Sequence, residues 1–74
     1  MSRDVVVKSE LKASVWQVLV KPGDRVEEDQ ELIILESMKT EIPVTAPSAG
    51  VVREVRVAEK DQVAELQVLV VIDG

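Results

Sequence analysis

The feature of this sequence that most constrains its fold is a pattern that occurs twice, at an offset of 37 residues. Each copy reads as a strand with period-2 alternation, a turn that ends in Asp, a short strand, a second turn and a continuous aliphatic strand. Two halves of this length cannot fold separately, but packed face to face about a pseudo-two-fold axis they bury one shared aliphatic layer. Positions that match at this offset are Asp24 with Asp61, Val26 with Val63, Gln30 with Gln67, and Leu32–Glu36 with Leu69–Asp73.

The side-chain composition favours strands over helices. The chain includes 16 Val and 4 Ile but one Trp and no Phe or Tyr, and β-branched residues pack well on a pleated sheet. No segment shows the apolar period of about 3.6 residues that a helix needs. We therefore predict one all-β domain over residues 1–74, a flattened β-barrel or sandwich of two four-stranded antiparallel sheets with pseudo-two-fold symmetry. One strand from each half is expected to cross into the partner's sheet. The predicted strands are Val5–Leu11, Ser14–Val20, Arg25–Glu27, Glu31–Glu36, Glu41–Val44, Val51–Val57, Gln62–Ala64 and Val68–Ile72.

The composition also excludes most kinds of site. With no Cys and no His, the chain has no thiolate nucleophile, imidazole base or ordinary zinc ligand set, and no metal site is predicted. The net charge is −5 and the nine basic residues are scattered, so we expect no nucleic-acid binding. The longest apolar run, Val68–Ile72, is far below the roughly 20 residues of a membrane span, and residues 1–4 lead into no signal-peptide core. We expect a soluble, cytoplasmic protein with no membrane partner.

One pair of equivalent turns differs between the two halves. In Lys21-Pro22-Gly23-Asp24, Pro22 presets φ and Gly23 accepts a positive φ. Lys60 stands where Gly23 does in the first half. Either Lys60 adopts a left-handed conformation at some cost, or the second turn has a different shape.

The segment that joins the halves, Ser37 to Ala49, is the distinctive element and is expected to be unpaired. Aliphatic residues flank it, and Met38-Lys39 is predicted at the hairpin tip. A primary amine on a four-carbon stem, held at a tight turn by a rigid sheet, can be acylated by an external enzyme and can then sweep a wide arc. The alternative is an ordinary solvated lysine.

The sequence at this point resembles the biotinyl/lipoyl attachment domains, the swinging-arm carriers of biotin-dependent carboxylases and 2-oxoacid dehydrogenases. The resemblance spans essentially the whole chain and implies a barrel-sandwich hybrid fold with Lys39 as the attachment site. Asp29 and Leu66 occupy places where family members often carry Gly, so the turns after the short strands are expected to be altered. The segments that fall in family order are Pro22–Val26, Leu32–Glu36, Ser37–Lys39, Ala46–Val52 and Asp61–Val63.

The residues that flank Lys39 discriminate between the two cofactors of this family. Lipoyl domains typically place Asp before the lysine and Ala after it, whereas biotinyl domains typically place Met on both sides and Ala or Ser two before. Ser37 and Met38 match the biotinyl pattern, and Thr40 departs from it. The resemblance therefore implies covalent biotin on Lys39, with Glu36, Ser37, Met38 and Thr40 as the recognition context and lipoate as the alternative. For Met38 the other interpretation is a turn residue whose thioether packs over the hairpin.

The implied function is that of a carrier and not of an enzyme. By resemblance, biotin protein ligase modifies Lys39, and the arm then carries a carboxyl group, as carboxybiotin, from a biotin carboxylase to a carboxyltransferase. Besides lipoyl carriage, two alternatives stay open: an enzyme that uses the equivalent Asp24 and Asp61 as a carboxylate pair, and a structural or interaction module. Trp16 is expected to be a partly buried cover for the thin core.

Overall fold

The structure, a computed structural model, describes residues 4–74, and all eight strands that it contains there match the predicted ones to within a few residues. As predicted, this part of the chain is all-β, and the strands form two four-stranded antiparallel sheets. None of its residues belongs to a helix that could cross a membrane. The strands are β1 (Asp4–Lys8), β2 (Ala13–Val18), β3 (Arg25–Val26), β4 (Glu31–Ser37), β5 (Thr40–Thr45), β6 (Gly50–Val55), β7 (Gln62–Val63) and β8 (Val68–Asp73).

The two halves of the repeat interleave more deeply than the sequence predicts. One sheet has the order β1-β8-β6-β3 and the other β5-β4-β2-β7; we refer to them as the β8 sheet and the β4 sheet. Each half therefore contributes two strands to each sheet, and the prediction that one strand crosses is wrong. Successive strands alternate between the sheets, except at the β4–β5 hairpin, so neither half has a sheet of its own.

The segment that joins the halves is paired, contrary to the prediction. It contains β5, which lies at the edge of the β4 sheet and pairs with β4 over the register from Glu31 with Thr45 to Ser37 with Thr40. Pro43 lies on this edge strand. Proline has no N–H group to donate, so on an edge strand it discourages pairing with another chain.

The repeat is visible in the hydrogen bonds of the backbone. The N–H of Gly23 donates to the carbonyl of Val52 at 2.8 Å, and the N–H of Lys60 donates to the carbonyl of Val15, the residue equivalent to Val52, also at 2.8 Å. Within residues 4–74 the fourteen backbone hydrogen bonds of turns and loops fall into seven such pairs. The offset of 37 residues is thus a structural symmetry and not a coincidence of β-strand composition.

The turns keep one shape even where the side chains do not favour it. Lys60 has φ 75° and Gly23 has φ 96°, so Lys60 adopts the left-handed conformation, the first of the two alternatives. Asp29 and Leu66 both have φ 68°, and the turns that contain them close with equal 3.1 Å hydrogen bonds. The two turns therefore share one shape, and each places its residue in the left-handed conformation that Gly adopts readily.

The core lies between the two sheets and is aliphatic. Val26, Val63, Leu32 and Leu69, predicted as equivalent pairs, are all between 0% and 2% exposed. Trp16 does not cover this core, contrary to expectation. It is the extra residue of a β-bulge in β2 and lies on the outer face of the β4 sheet, 47% exposed, because a bulge places two successive side chains on the same side of a sheet.

Candidate functional site

The candidate site is the hairpin between β4 and β5. Ser37 pairs with Thr40, which leaves Met38 and Lys39 as the whole connection. Met38 has φ 51° and Lys39 has φ 65°. Positive φ at both central residues identifies a two-residue turn of type I′, whose twist matches that of the strands it joins. The predicted hairpin with Met38-Lys39 at its tip is confirmed.

The residues at the tip are unusual for this turn. Type I′ turns strongly prefer Asn-Gly or Gly-Gly, because a Cβ is crowded at positive φ. Two successive left-handed residues with long side chains cost on the order of 1–2 kcal/mol each, and such strain persists only where the surroundings determine the backbone. Here the paired strands supply that constraint, since Ile33 and Leu35 of β4 are fully buried beneath the hairpin.

The five predicted site residues are consecutive, residues 36–40, and lie at the tip of the hairpin and on the strand ends beside it. Met38, Lys39, Glu36 and Thr40 are exposed, and Ser37 is half-buried. Met38 is 94% exposed, so the interpretation in which its thioether packs over the hairpin is wrong. Its side chain is free to contact another protein, and Lys39 forms no ion pair within residues 4–74.

A further carboxylate, that of Glu41, belongs to the same site. Glu41 lies directly opposite Glu36 in the antiparallel register, and like charges at facing positions destabilise a strand pair. Both carboxylates are exposed, so they place negative charge on the hairpin a few residues from the lysine. The sequence does contain the signal for this pair, because counting outward from a two-residue turn at Met38-Lys39 places Glu36 opposite Glu41.

Asp24 and Asp61 have structural roles in their own turns. The Asp24 carboxylate accepts the backbone N–H of Lys21 at 3.0 Å, and the Asp61 carboxylate accepts that of Ala58 at 2.8 Å. Both residues thus close the turn that precedes a short strand. Within the described part of the chain no three acidic residues cluster closely enough to hold a metal ion.

A family model described as "Biotin-requiring enzyme", for the biotin/lipoyl domain, matches residues 6–72. The chain belongs to the biotin/lipoyl attachment family. This match covers every strand except the first two residues of β1 and the last residue of β8, so the resemblance to this family is confirmed.

Relatives include both small proteins and large enzyme subunits. The chain is 46% identical over 65 residues to the "Biotin/lipoyl attachment protein" of Bacillus subtilis, covering 88% of this chain and 89% of that protein. It is 42% identical over 66 residues to the "Biotinylated protein TB7.3 homolog" of Mycobacterium leprae, covering 89% and 93%. It is 41% identical over 63 residues to the dihydrolipoyllysine-residue acetyltransferase component of a Pseudomonas aeruginosa pyruvate dehydrogenase complex, covering 77% of this chain and 12% of that one.

Solved structures of a carboxylase and of a lipoyl domain share the fold. The Kluyveromyces lactis urea carboxylase matches with a TM-score of 0.89 and 31% identity over 95% of this chain and 6% of that one. The lipoyl domain of the Azotobacter vinelandii 2-oxoglutarate dehydrogenase complex matches with a TM-score of 0.80 and 24% identity over 95% and 96%, which concerns the fold alone. The family is that of a small carrier domain, and both a carboxylase and lipoyl proteins are among the matches.

Proposed function

We propose that this protein is a biotin carrier, modified on Lys39 by a biotin protein ligase. The main support is the exposed Lys39 at the tip of a strained two-residue hairpin, preceded by Ser37-Met38. The name of the Mycobacterium leprae relative, a biotinylated protein of similar length, points in the same direction. Lipoylation of the same lysine is the second candidate, because a lipoyl acyltransferase component is also 41% identical over part of its length.

The residues present fit an acylated lysine. The Lys39 amine is exposed and forms no ion pair among the described residues, so no internal contact must break before it reacts. In the proposed modification its Nζ attacks the activated carboxyl group of biotinyl-AMP, an amide bond forms, AMP leaves and the amine proton passes to solvent. Once attached, biotin supplies a ring nitrogen that accepts and releases a carboxyl group.

The contribution of the chain is tethering. The sheet holds the backbone of Lys39 in one conformation while the side chain rotates freely, so the arm reaches out from a fixed point. A short flexible tether gives effective concentrations in the millimolar range at each site it visits. The partners in this proposal are a biotin carboxylase, which loads the arm, and a carboxyltransferase, which unloads it.

The first test is the intact mass of the protein from its native source, together with a streptavidin blot. We expect the mass increment of one biotinyl group, and Lys39→Arg, which keeps the charge but removes the primary amine, should abolish it. Lys12→Arg and Lys60→Arg serve as matched controls because both lysines are exposed. A lipoyl increment would replace the biotin proposal with the lipoyl one, and stoichiometric biotin on Lys39→Arg would exclude this site.

A further inference from the structure

The outer faces of the two sheets occupy equivalent places in the fold but differ in chemistry. On the β8 sheet, Nη1 of Arg53 donates to both carboxylate oxygens of Asp4, at 2.7 and 2.6 Å. The same contact raises the pKa of the Arg53 guanidinium, mainly through this hydrogen bond and then through the charge of Asp4. A second pair joins Arg56 to Glu54 at 2.7 Å. This face thus carries two ion pairs formed within the described residues.

On the β4 sheet, the equivalent positions keep the carboxylate of the Arg53–Asp4 pair but not the guanidinium. The offset of 37 residues relates Arg53 to Trp16 and Asp4 to Glu41. The carboxylate is present at both places, whereas an indole replaces the guanidinium on the β4 sheet. Glu41 accordingly forms no ion pair within residues 4–74. The other sheet shows that the fold accommodates an arginine at the equivalent position.

The surface around Trp16 and Glu41 is an open groove with an apolar floor. Ile34 lies directly between its two neighbours in the sheet, since it pairs with Gln17 on one side and with Pro43 on the other. Leu19 is 46% exposed and takes the place that Arg56 has on the β8 sheet. The groove has a volume of about 440 Å³ and is lined by Trp16, Gln17, Leu19, Glu31, Ile34, Glu41 and Pro43.

We propose that this groove is a docking surface for a partner protein that inserts an arginine between Trp16 and Glu41. The guanidinium would stack on the indole face and pair with the carboxylate, restoring between two proteins the contact that Arg53 and Asp4 make within one. The aliphatic stem of that arginine would lie against Ile34 and Leu19. A second copy of this chain is a poor occupant because it would bring Glu31 and Glu41 against carboxylates of the same kind.

The position of the groove favours one partner, and this step rests on the proposed biotin carriage. Ile34 is four residues before the hairpin turn, which places the groove floor roughly 13 Å from the tip at about 3.3 Å per residue. A partner seated there contacts the hairpin at Glu41 but leaves Met38 and Lys39 uncovered, so the arm can enter that partner's active site. The ligase instead acts on the bare lysine and must contact the tip. This position suits a component that acts on the attached biotin rather than the ligase, and we assign the groove to the biotin carboxylase, which loads the arm first.

The test uses the fully biotinylated protein and the biotin carboxylase component of the source organism, with carrier-dependent ATP hydrolysis as the readout. Trp16→Arg should raise KM for the carrier about tenfold or more with kcat unchanged, since the new guanidinium pairs with Glu41 within the chain and occupies the groove. Glu41→Gln should act in the same direction. Arg53→Gln, on the equivalent position of the opposite face, is the matched control and should leave KM unchanged.

The outcomes separate the two proposals. Each variant is first biotinylated to completion and checked by intact mass and thermal melting, so that ligase recognition and folding do not enter KM. If Trp16→Arg and Glu41→Gln keep the wild-type KM, or if Arg53→Gln raises KM equally, the docking surface is wrong while biotin carriage stands. If the biotinylated wild-type protein supports no ATP hydrolysis by the carboxylase, the carrier proposal itself fails.

Discussion

At the scale of single residues, those with a strained backbone fall into two groups. Among the described residues, five other than glycine have positive φ. Two of them, Met38 and Lys39, form the hairpin tip, where the strain positions the lysine. The other three, Asp29, Lys60 and Leu66, lie in turns outside the hairpin. For these three no function accounts for the strain, so glycine should be accepted at their positions.

Leu66→Gly should therefore stabilise the protein. Leu66 has φ 68° and is 66% exposed, so its replacement relieves about 1–2 kcal/mol of backbone crowding and removes little buried surface. The greater conformational freedom of glycine in the unfolded chain offsets about 0.5–1 kcal/mol of this gain. The expected net gain is up to about 1.5 kcal/mol. It raises Tm, measured by thermal melting, by roughly 4–8 °C for each kcal/mol gained.

The neighbouring Glu65→Gly is the control for this substitution. Glu65 is exposed and is not among the residues with positive φ, so glycine there adds only unfolded-state entropy and should lower Tm. Equal effects at the two positions would mean that φ at Leu66 costs nothing. The sequence indicated the φ requirement at Lys60, through its equivalence to Gly23, but it did not indicate how the conflict between side chain and turn would be resolved.

At the scale of elements, the hairpin between β4 and β5 was the most predictable part of the site. Two aliphatic strands on either side of Met38-Lys39 indicated both the turn and its tip. The turn type was not predictable, because type I′ turns prefer Asn and Gly and the Met38-Lys39 pair contains neither. Strand pairing beneath the tip decides it, and strand pairing is a property of the fold rather than of these two residues.

The flanks of Lys39 should decide which ligase accepts the hairpin. Met38→Asp with Thr40→Ala imposes the lipoyl-type context on the same turn, and Asp tolerates positive φ better than Met does, so the fold should persist. We expect biotinylation by a purified biotin protein ligase to fall and lipoylation by a lipoate-protein ligase to rise, both followed by intact mass.

Thr40→Met, which restores the second Met of the biotinyl pattern, is the matched control and should keep or improve biotinylation. Thr40 is exposed at the first position of β5, so neither residue there disturbs the core. Unchanged biotin incorporation by the Met38→Asp, Thr40→Ala variant would show that the ligases read the hairpin position alone.

At the scale of the whole molecule, the repeat predicted the number of sheets and the core but not the way in which the halves interleave. The pairs Val26 with Val63 and Leu32 with Leu69 are buried as expected. The strand order was not accessible because every strand carries a similar aliphatic pattern, so many pairings bury the same residues. The outer-face asymmetry of Trp16 and Arg53 likewise becomes visible only once both are seen on exposed faces.

Truncation at either equivalent core leucine should come close to unfolding the protein. Leu32 and Leu69 are fully buried, and loss of such a side chain to Ala removes roughly 2–5 kcal/mol. The net stability of a domain of this size is about 3–5 kcal/mol. Leu32→Ala and Leu69→Ala should lower Tm sharply and by similar amounts in thermal melts, and biotin acceptance should fall with them.

Lys39→Ala provides the contrast, because an exposed side chain at the tip buries little surface and its loss should leave Tm nearly unchanged. Benign leucine variants together with an unfolded Lys39→Ala protein would contradict both the shared core and the placement of the lysine. A large difference between Leu32→Ala and Leu69→Ala would contradict their equivalence under the repeat.

The course of β5 determines where the described ends of the chain lie relative to the arm. From the hairpin, β5 runs the length of the β4 sheet to Thr45, and the chain then crosses to Gly50 in the other sheet. Beside Gly50, Val51 pairs with Asp73, which in turn pairs with Asp4. Both described ends are therefore at the pole opposite Lys39. A protein fused to either end, or a surface to which that end is anchored, would leave the lysine pointing outward. The same fold therefore suits both a small protein and a module within a large enzyme. It would also serve as an acceptor tag of defined orientation.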